Sequence, residues 1–566
     1  MSELKKKEKI LLALLPYWDP QIPPLGIVSL KTFLQENGYK IKTADANIME
    51  EFSEIHHRYF SILEEFIPAD QQGNFHNVGQ DVMRNHMMSH IHYQDENEYI
   101  DLVKTLVYKT FYVKITEPGV SRLNQTLQDF YLTLEQYFLD LLAKDESEIL
   151  GLSVYRGNLA ASMFALRLTR QHYPHIKTVM GGAVLAGELA VGSENLAYFL
   201  EKTPYIDKII AGEGEILFLK YLRGELPETE RVYTLEHIGG ETLDLNRPAP
   251  IVPDFSDLDL GFYPHLPAYA SRSCPFQCSF CTETVYWGKY RKKRANQVVE
   301  EMTALYHQHK SQLFLMCDSL LNPVINDLTN ALLESGLSLY WDGYLRADPQ
   351  VCDRDSTLQW RRSGFYRARL GIESGSPHVL ELMGKKISPE QIKAAVSSLA
   401  DAGIKTTTYW VIGHPGETEA DFQQTLDILE EMRDDIYEAW CSPFNYYKTG
   451  QVNSDRWAEK SQLLYPPRAK DMLVVQTWVL QEEPSREETY SRMNRFVRHC
   501  KKLGVPNPYS LLEFYQADER WKKLHKNAVP SLVEFENKDV YIDENKSVKR
   551  VIEAGKKLDP QMNFDF

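Results

Sequence analysis

Short apolar runs alternate with stretches of helical spacing along most of this chain. Residues 9–16, KILLALLP, form a continuous apolar run closed by a proline, which predicts a strand buried on both faces. Apolar positions then recur at helical spacing over 26–37, Gly38 ends that helix, and a second strand, KIKTAD, runs into Asp45 and Asn47. This is a β-α-β unit, the building block of a parallel sheet. Over 48–145 the pattern gives way to a polar and aromatic region that reads as a helical insertion with one irregular tract. It resumes with strands at 148–158, 177–183 and 207–215, separated by helices. Five strand–helix pairs predict a doubly wound α/β domain over 1–224, and such sheets bind ligands at the carboxyl ends of their strands. Those ends carry Ser153, Tyr155, Asn158, Gly181, Gly182, Gly212 and Gly214. Glycines there let a backbone approach a bulky ligand closely.

Residues 225–260, rich in Pro, Asp and Glu, read as a linker. Beyond it, LPAYASRS (266–273) and strands at 312–318, 339–346, 365–374, 405–413 and 436–444 alternate with helices. Six such units predict a partial (β/α)6 barrel of the TIM type over 261–450, with its chemistry at the carboxyl ends of the strands. Asp318, Arg346, Glu373, Ser374, Gly413 and Tyr446 fall at or just beyond those ends. Helical spacing returns in DMLVVQTWVLQ (471–481) and YSRMNRFVRHCKKL (490–503), the second closed by Gly504 and Pro506. Residues 451–566 therefore read as a mostly helical domain that caps the barrel and supplies substrate contacts.

Composition narrows the function. A hydrophobic fraction of 43% and a charged fraction of 25% are those of a soluble globular protein, and 566 residues suffice for several cores. The net charge of -16 disfavours a nucleic-acid partner, which calls for a basic face. The one basic run, Arg291 to Arg294, reads as a local anion contact or a solvated surface. Lysines precede the first apolar run as in a signal peptide, but that run stops at Pro16 with no small-residue cleavage site after it. With no apolar stretch of membrane-spanning length, the expectation is a cytoplasmic protein without a membrane partner. Six of the 16 histidines (His56, His57, His76, His86, His90 and His92) lie in the insertion; their spacings build no single ligand face, and they read as solvated or partly buried surface residues.

The stretch SRSCPFQCSFCT (271–282) carries the densest chemistry, with Cys274, Cys278 and Cys281 at CxxxCxxC spacing. Thiolates are soft ligands that select zinc, copper(I) or iron–sulfur clusters. Three of them leave one position open, whereas a structural zinc site would be closed by a fourth ligand at short spacing. His265 and Cys317 are poorly spaced for that. Cys317, Cys352, Cys441 and Cys500 stand singly and read as core or surface residues, with Cys441 and Tyr446 as candidates to face a substrate cavity.

The cysteine stretch resembles the cluster loop of radical S-adenosylmethionine (SAM) enzymes. That resemblance implies that the three cysteines are catalytic metal ligands holding a [4Fe-4S] cluster whose open iron is chelated by SAM. It places Phe280 against the SAM adenine, and Ser273 departs from the glycine many relatives carry. GIESGS (371–376) resembles the motif that reaches the SAM ribose or methionyl part, nominating Glu373 and Ser374. VIGHPGET (411–418) is similar to the turn that meets the adenine, nominating Ile412 and Gly413, and Asp318 matches the contact to the methionyl amine.

Upstream, PPLGI (23–27), the strand ending in Asp45, the GGA turn and the GEGE segment together resemble the Rossmann-like cobalamin-binding domain that precedes many radical SAM domains. That likeness nominates Leu25, Gly26, Asp45, Ser153, Tyr155, Asn158, Gly181, Gly182, Gly212, Glu213 and Gly214 as cobalamin contacts. The DxHxxG motif is missing, so the resemblance implies cobalamin with its base displaced and no protein histidine on cobalt.

The resemblance implies a cobalamin-dependent radical SAM enzyme that forms a 5'-deoxyadenosyl radical and C-methylates an unactivated carbon of a natural-product or peptide substrate, with flavodoxin or ferredoxin as electron donor. The rival reading keeps the cofactors but ends in rearrangement, ring contraction or cyclisation without methylation. A methylthiotransferase is disfavoured because the extra cysteine triad and a basic RNA-binding tail are missing. A sensor without turnover would have no use for the ribose and adenine motifs.

Overall fold

The computed structural model describes residues 9–18, 21–509 and 511–525. The lysines ahead of the first strand and the end of the expected C-terminal domain lie outside the described residues.

The N-terminal sheet has six parallel strands in the spatial order Lys40–Asp45, Lys9–Leu14, Ile149–Ser153, Lys177–Gly181, Lys208–Ala211, Val232–Thr234. The chain moves outward one way from the strand at Lys9–Leu14, then returns and builds the other way. With right-handed crossovers this winds helices onto both faces. Burial on both faces explains the unbroken apolar run: Ile10, Leu11, Leu12, Ala13 and Leu14 are each at most 2% exposed. The sixth strand lies inside the stretch expected to be a linker, and the remainder of that stretch is anchored too. Asp254 and Asp257 both stand 2.9 Å from Nζ of Lys31, which is itself 1% exposed in the helix Leu25–Glu36.

The insertion contains four α-helices, Glu50–Glu64, Phe75–His90, Glu96–Phe111 and Glu117–Lys144. The last two begin at side-chain caps, Asp95 accepting from the Glu98 amide and Thr116 from the Gly119 amide. His86 corrects the expectation of surface histidines. It is fully buried, with Nδ1 2.9 Å from the Tyr59 hydroxyl and Nε2 2.8 Å from both the Tyr99 hydroxyl and Asn124 Oδ1. Both ring nitrogens have partners, so the neutral imidazole sits in the core without an orphaned polar atom.

The second sheet is also parallel and six-stranded, in sequential order from Leu266–Ala268 through Leu313–Met316, Tyr340–Leu345, Phe365–Glu373 and Lys405–Ile412 to Glu438–Pro443. Its two end strands do not pair with each other, so the barrel is open. One face of this sheet is polar although buried. Arg367 donates to Thr407 Oγ1 at 2.7 Å, the Thr407 hydroxyl donates to Glu438 at 2.7 Å, and Arg369 pairs with Asp342 at 2.9 Å. The expected strand 266–273 splits in two. Its second part, Ser271–Arg272, leaves the sheet to pair antiparallel with Arg291–Lys292.

At the C-terminus Arg486–Leu503 is the expected helix, ended by Gly504 in the left-handed region at φ 70°. The stretch 471–481 is not helical. A 3-10 turn at Pro467–Asp471 precedes the strand Trp478–Leu480, which pairs antiparallel with Ser461–Leu463. β-Branched and aromatic residues satisfied by a strand partner outweighed the helical spacing there. Among the described residues no helix is long and apolar enough to cross a membrane.

Candidate active site

The cysteine loop is pinned on both sides. On its entry side Ser273 has φ 71°, the left-handed region that glycine reaches without strain, and its hydroxyl donates to the Gly288 carbonyl at 2.7 Å. On its exit side the Ser279 amide donates to Met383 O at 2.9 Å. The amides of Asn453 and Val452 donate to the carbonyls of Ser279 and Cys281, and Gln451 Nε2 donates to Phe280 O at 2.8 Å. Every one of these bonds joins the loop to a distant part of the chain.

Cys274, Cys278 and Cys281 are free and half-buried. Burial pushes the Cys274 thiol up and the Cys281 thiol up to about 11, so thiolates there require a cationic partner. Lys385 and Arg346 oppose that rise at Cys274. Arg346 lies 3.8 Å over the Phe276 ring and donates to the carbonyls of Lys385 and Lys386. Among the described residues no three His, Cys, Asp or Glu side chains converge on one metal ion. Three soft donors on one loop, with Lys385 and Arg346 acting on Cys274, have the chemistry of an iron–sulfur ligand set.

The strand ends around the loop carry the other expected residues. Glu373 has φ 70° and accepts from Lys385 Nζ at 2.6 Å, both groups being buried. Ser374 meets Thr425 hydroxyl to hydroxyl at 3.2 Å and accepts from the Ser376 amide. Ile412 is fully buried. Gly413, at φ 81°, donates its amide to Glu417 at 2.9 Å, and Glu417 accepts from Arg492 at 2.9 Å. Asp318 accepts from the Ala270 amide and, at 2.5 Å, from the Ser271 hydroxyl, which braces the strand that enters the loop. Burial raises its carboxyl to about 6.

Tyr446 is buried and donates to Ser454 O at 2.9 Å. Cys441 does not face a cavity. It is 1% exposed in the core, and its carbonyl accepts from Asn74 and Asn77 of the insertion. The exposed thiol is Cys317, just past the second barrel strand.

In the N-terminal sheet the order reverses between Lys9–Leu14 and Ile149–Ser153, and the crevice at such a switch point is where ligands bind. Trp18 and Tyr155 stack across it with ring centroids 4.0 Å apart. Leu25 and Gly26 open the helix beside it, and a Cβ on Gly26 would meet nothing within 4 Å. A Cβ on Gly214 would meet Leu30 at 3.8 Å and one on Gly181 would meet Ile210 O at 3.4 Å, while Gly182 is required by its own turn, where a Cβ would lie 2.4 Å from Val154 O.

The polar residues expected here already have partners. Asn158 bonds the Tyr155 amide and Ser153 O, and Asp45 accepts from the Asn47 amide and the Tyr263 hydroxyl. Gly212, at φ 109°, leads into Glu213, which pairs with Arg272 at 2.8 Å and with Arg291. The crevice is thus lined by ring faces and backbone, its expected polar residues Asn158 and Asp45 being already engaged. Glu213 is a tie between the two sheets, not a free ligand contact.

Sequence reasoning missed Arg272, Glu215 and Glu417, which lie inside recognised motifs, and Lys385 and Arg492, which reach theirs from outside. The basic run, read as a local anion contact or a solvated surface, divides between the two: Arg291 pairs with Glu213, and Lys293 pairs with Glu301 at 2.6 Å and lies 3.4 Å over Tyr269, while Lys292 and Arg294 are exposed.

A family model for the radical SAM superfamily matches residues 269–429. The chain is 25% identical over 356 residues to the anaerobic magnesium-protoporphyrin IX monomethyl ester cyclase of Rubrivivax gelatinosus, covering 54% of this chain and 61% of the relative. It is 24% identical over 318 residues to the cobalamin-dependent radical SAM methyltransferase TokK of Streptomyces tokunonensis, covering 50% of this chain and 45% of that one. It therefore spans less than two thirds of either relative. Its fold is similar to that of TsrM, a radical SAM methyltransferase from Kitasatospora setae solved with cobalamin and a [4Fe-4S] cluster bound; the TM-score is 0.58 at 15% identity, with 92% of this chain and 100% of that one covered. The same enzyme with tryptophan substrate and a SAM analogue gives 0.60 at 14% identity, covering 97% and 100%. The matched residues hold the three cysteines and the motifs at Asp318, Glu373 and Gly413, and it is this segment, 269–429, that is similar to the radical SAM superfamily.

Proposed function

We propose that this protein is a cobalamin-dependent radical SAM enzyme that methylates an unactivated carbon of a small molecule or peptide. The observation that carries the reading is that the carboxyl ends of two parallel sheets meet at the cysteine loop, joined by Arg272 to Glu213 and Glu215. Cys274, Cys278 and Cys281 would hold the [4Fe-4S] cluster, and the cluster with SAM would supply a 5'-deoxyadenosyl radical. The cations Lys385 and Arg346 favour the thiolate form of the loop. Glu373 and Ser374 stand at the barrel mouth for the ribose or methionyl part, Phe280, Ile412 and Gly413 for the adenine, and Asp318 for the amine. Trp18, Tyr155 and Gly26 wall the crevice for cobalamin, base displaced. The protein's own work is to hold these parties in line and to keep water out.

The likeness to a cyclase supports a second reading, the same cofactors with no methyl transferred. Anaerobic reconstitution separates the possibilities. The first reading requires about four irons and one corrinoid per chain, and both 5'-deoxyadenosine and S-adenosylhomocysteine in turnover. The second requires 5'-deoxyadenosine without S-adenosylhomocysteine. Iron with no corrinoid would refute both, and Cys278→Ala should abolish iron loading.

A further inference from the structure

A cavity of about 350 Å³ opens between the N-terminal sheet domain, the barrel and the C-terminal region, within the range of about 300–1,000 Å³ typical of small-molecule sites. Its walls come from Arg156 and the loop 187–195 of the N-terminal unit, from 443–449 beyond the last barrel strand, and from 476–490 of the C-terminal region. These walls are fastened to one another: Lys448 pairs with Glu194 at 2.6 Å, and Asn195 donates to Gln476 O at 2.9 Å. The loop that forms the floor continues into Gln451 and Val452, which hold the carbonyls of Phe280 and Cys281. The cavity is thus one loop away from the cysteines.

Its charges are not equally engaged. Arg156 is neutralised by Glu188 at 2.9 Å and Asp81 at 3.1 Å, and Lys448 by Glu194. Arg486 differs. It lies 4.5 Å over the Tyr490 ring, donates to the Tyr490 hydroxyl at 2.7 Å and to Lys109 O at 3.2 Å, and makes no direct ion pair among the described residues, Asp81 acting on it only through space. A guanidinium held by neutral acceptors keeps its charge and donors for an incoming anion. Tyr447 and Phe444 supply apolar ring surface in the same cavity, and Trp478 lines it with Lys448 Nζ 4.1 Å over its ring.

We propose that this cavity binds a small molecule with an unsaturated planar body and one carboxylate, anchored through Arg486. The proposal rests on the radical reading only in making that molecule the substrate. The test is calorimetric titration of the full-length, anaerobically reconstituted protein with indole-3-acetate, tryptamine and indole. Indole-3-acetate should bind saturably and at least tenfold more tightly than the other two. Arg486→Gln should weaken it at least tenfold, while Arg486→Lys, which keeps the charge, should recover part of the loss. Equal binding to wild type and Arg486→Gln, or no saturable binding to wild type, would overturn the proposal. Iron content and 5'-deoxyadenosine formation in the same preparation judge the radical reading separately, because binding can persist where they fail.

Discussion

Arg272 and Glu215 lie 57 residues apart in sequence and 2.5 Å apart in space. Arg272 stands two residues ahead of Cys274, and Glu215 is in the first turn of the helix that follows the fifth strand of the N-terminal sheet. Their side chains are only 11% and 9% exposed. Burial would lift the Glu215 carboxyl, but the charge and hydrogen bonds of Arg272 outweigh it and hold that group below its ordinary range. The pair makes the position of the cysteine loop depend on the neighbouring sheet.

Removing one partner of a buried ion pair strands the other charge, at a loss of about 3–5 kcal/mol. Arg272→Ala strands Glu215, while Glu213 keeps Arg291, and should fall in that range in chemical denaturation. Its iron content after reconstitution should drop as well. A loss under about 1 kcal/mol, within the range of an exposed pair, would show that the tie carries no weight.

Ser273 is a test of local strain. A left-handed residue other than glycine carries about 1–2 kcal/mol of strain, while its hydroxyl bond to Gly288 returns about 1 kcal/mol. Ser273→Gly trades one for the other and should stay within about 1 kcal/mol of wild type. Ser273→Val keeps the strain, loses the bond and adds β-branching, so thermal denaturation should show it clearly less stable than Ser273→Gly.

The cysteine loop was legible because three thiols at fixed spacing have few other uses. The first strand was legible because burial on both faces leaves an unbroken apolar run. The sixth strand was hidden: Val232–Thr234 is three residues long inside a Pro- and Glu-rich stretch, and its partner strand alone makes it one. The strand at Trp478–Leu480 was masked by apolar residues that also satisfy helical spacing. Long-range ties such as Arg272 to Glu215 leave no local pattern, since each residue alone reads as surface charge. Arg492, which reaches Glu417 from a helix 75 residues on, is another such tie.

Gly413 faces the same C-terminal helix. A Cβ at this position would lie 2.2 Å from Thr489 Oγ1, and φ is 81°. Gly413→Ala should therefore destabilise by about 2 kcal/mol or more, from overpacking and left-handed strain together. Thr489→Ala in the same chain removes the nearest contacts but not the strain, so it should restore only part. Full restoration by the double variant, measured by urea denaturation, would show that the backbone angle contributes nothing.

The insertion should be the acid-sensitive part of the molecule. Burial is the largest cause that lowers His86 to about 3 and His56 and His92 to about 4, and the sole cause that lowers His90 to about 4. Each is therefore neutral when folded but protonated when unfolded between its folded value and an ordinary value near 6.5. In that window the unfolded chain binds more protons, so stability falls as pH falls. For the fully buried His86 alone the loss at pH 5 is about 2 kcal/mol, and the other three act in the same direction. Hydrogen exchange resolved by peptide should show amide protection across the helices Glu50–Glu64 and Phe75–His90 decaying between pH 7 and pH 5, after correction for the intrinsic exchange rate, ahead of the barrel strands. Protection that is flat across this range, or that fails first in the barrel, would mean that these histidines are solvated in the working molecule and that the Tyr59–His86–Tyr99 network does not hold the insertion together.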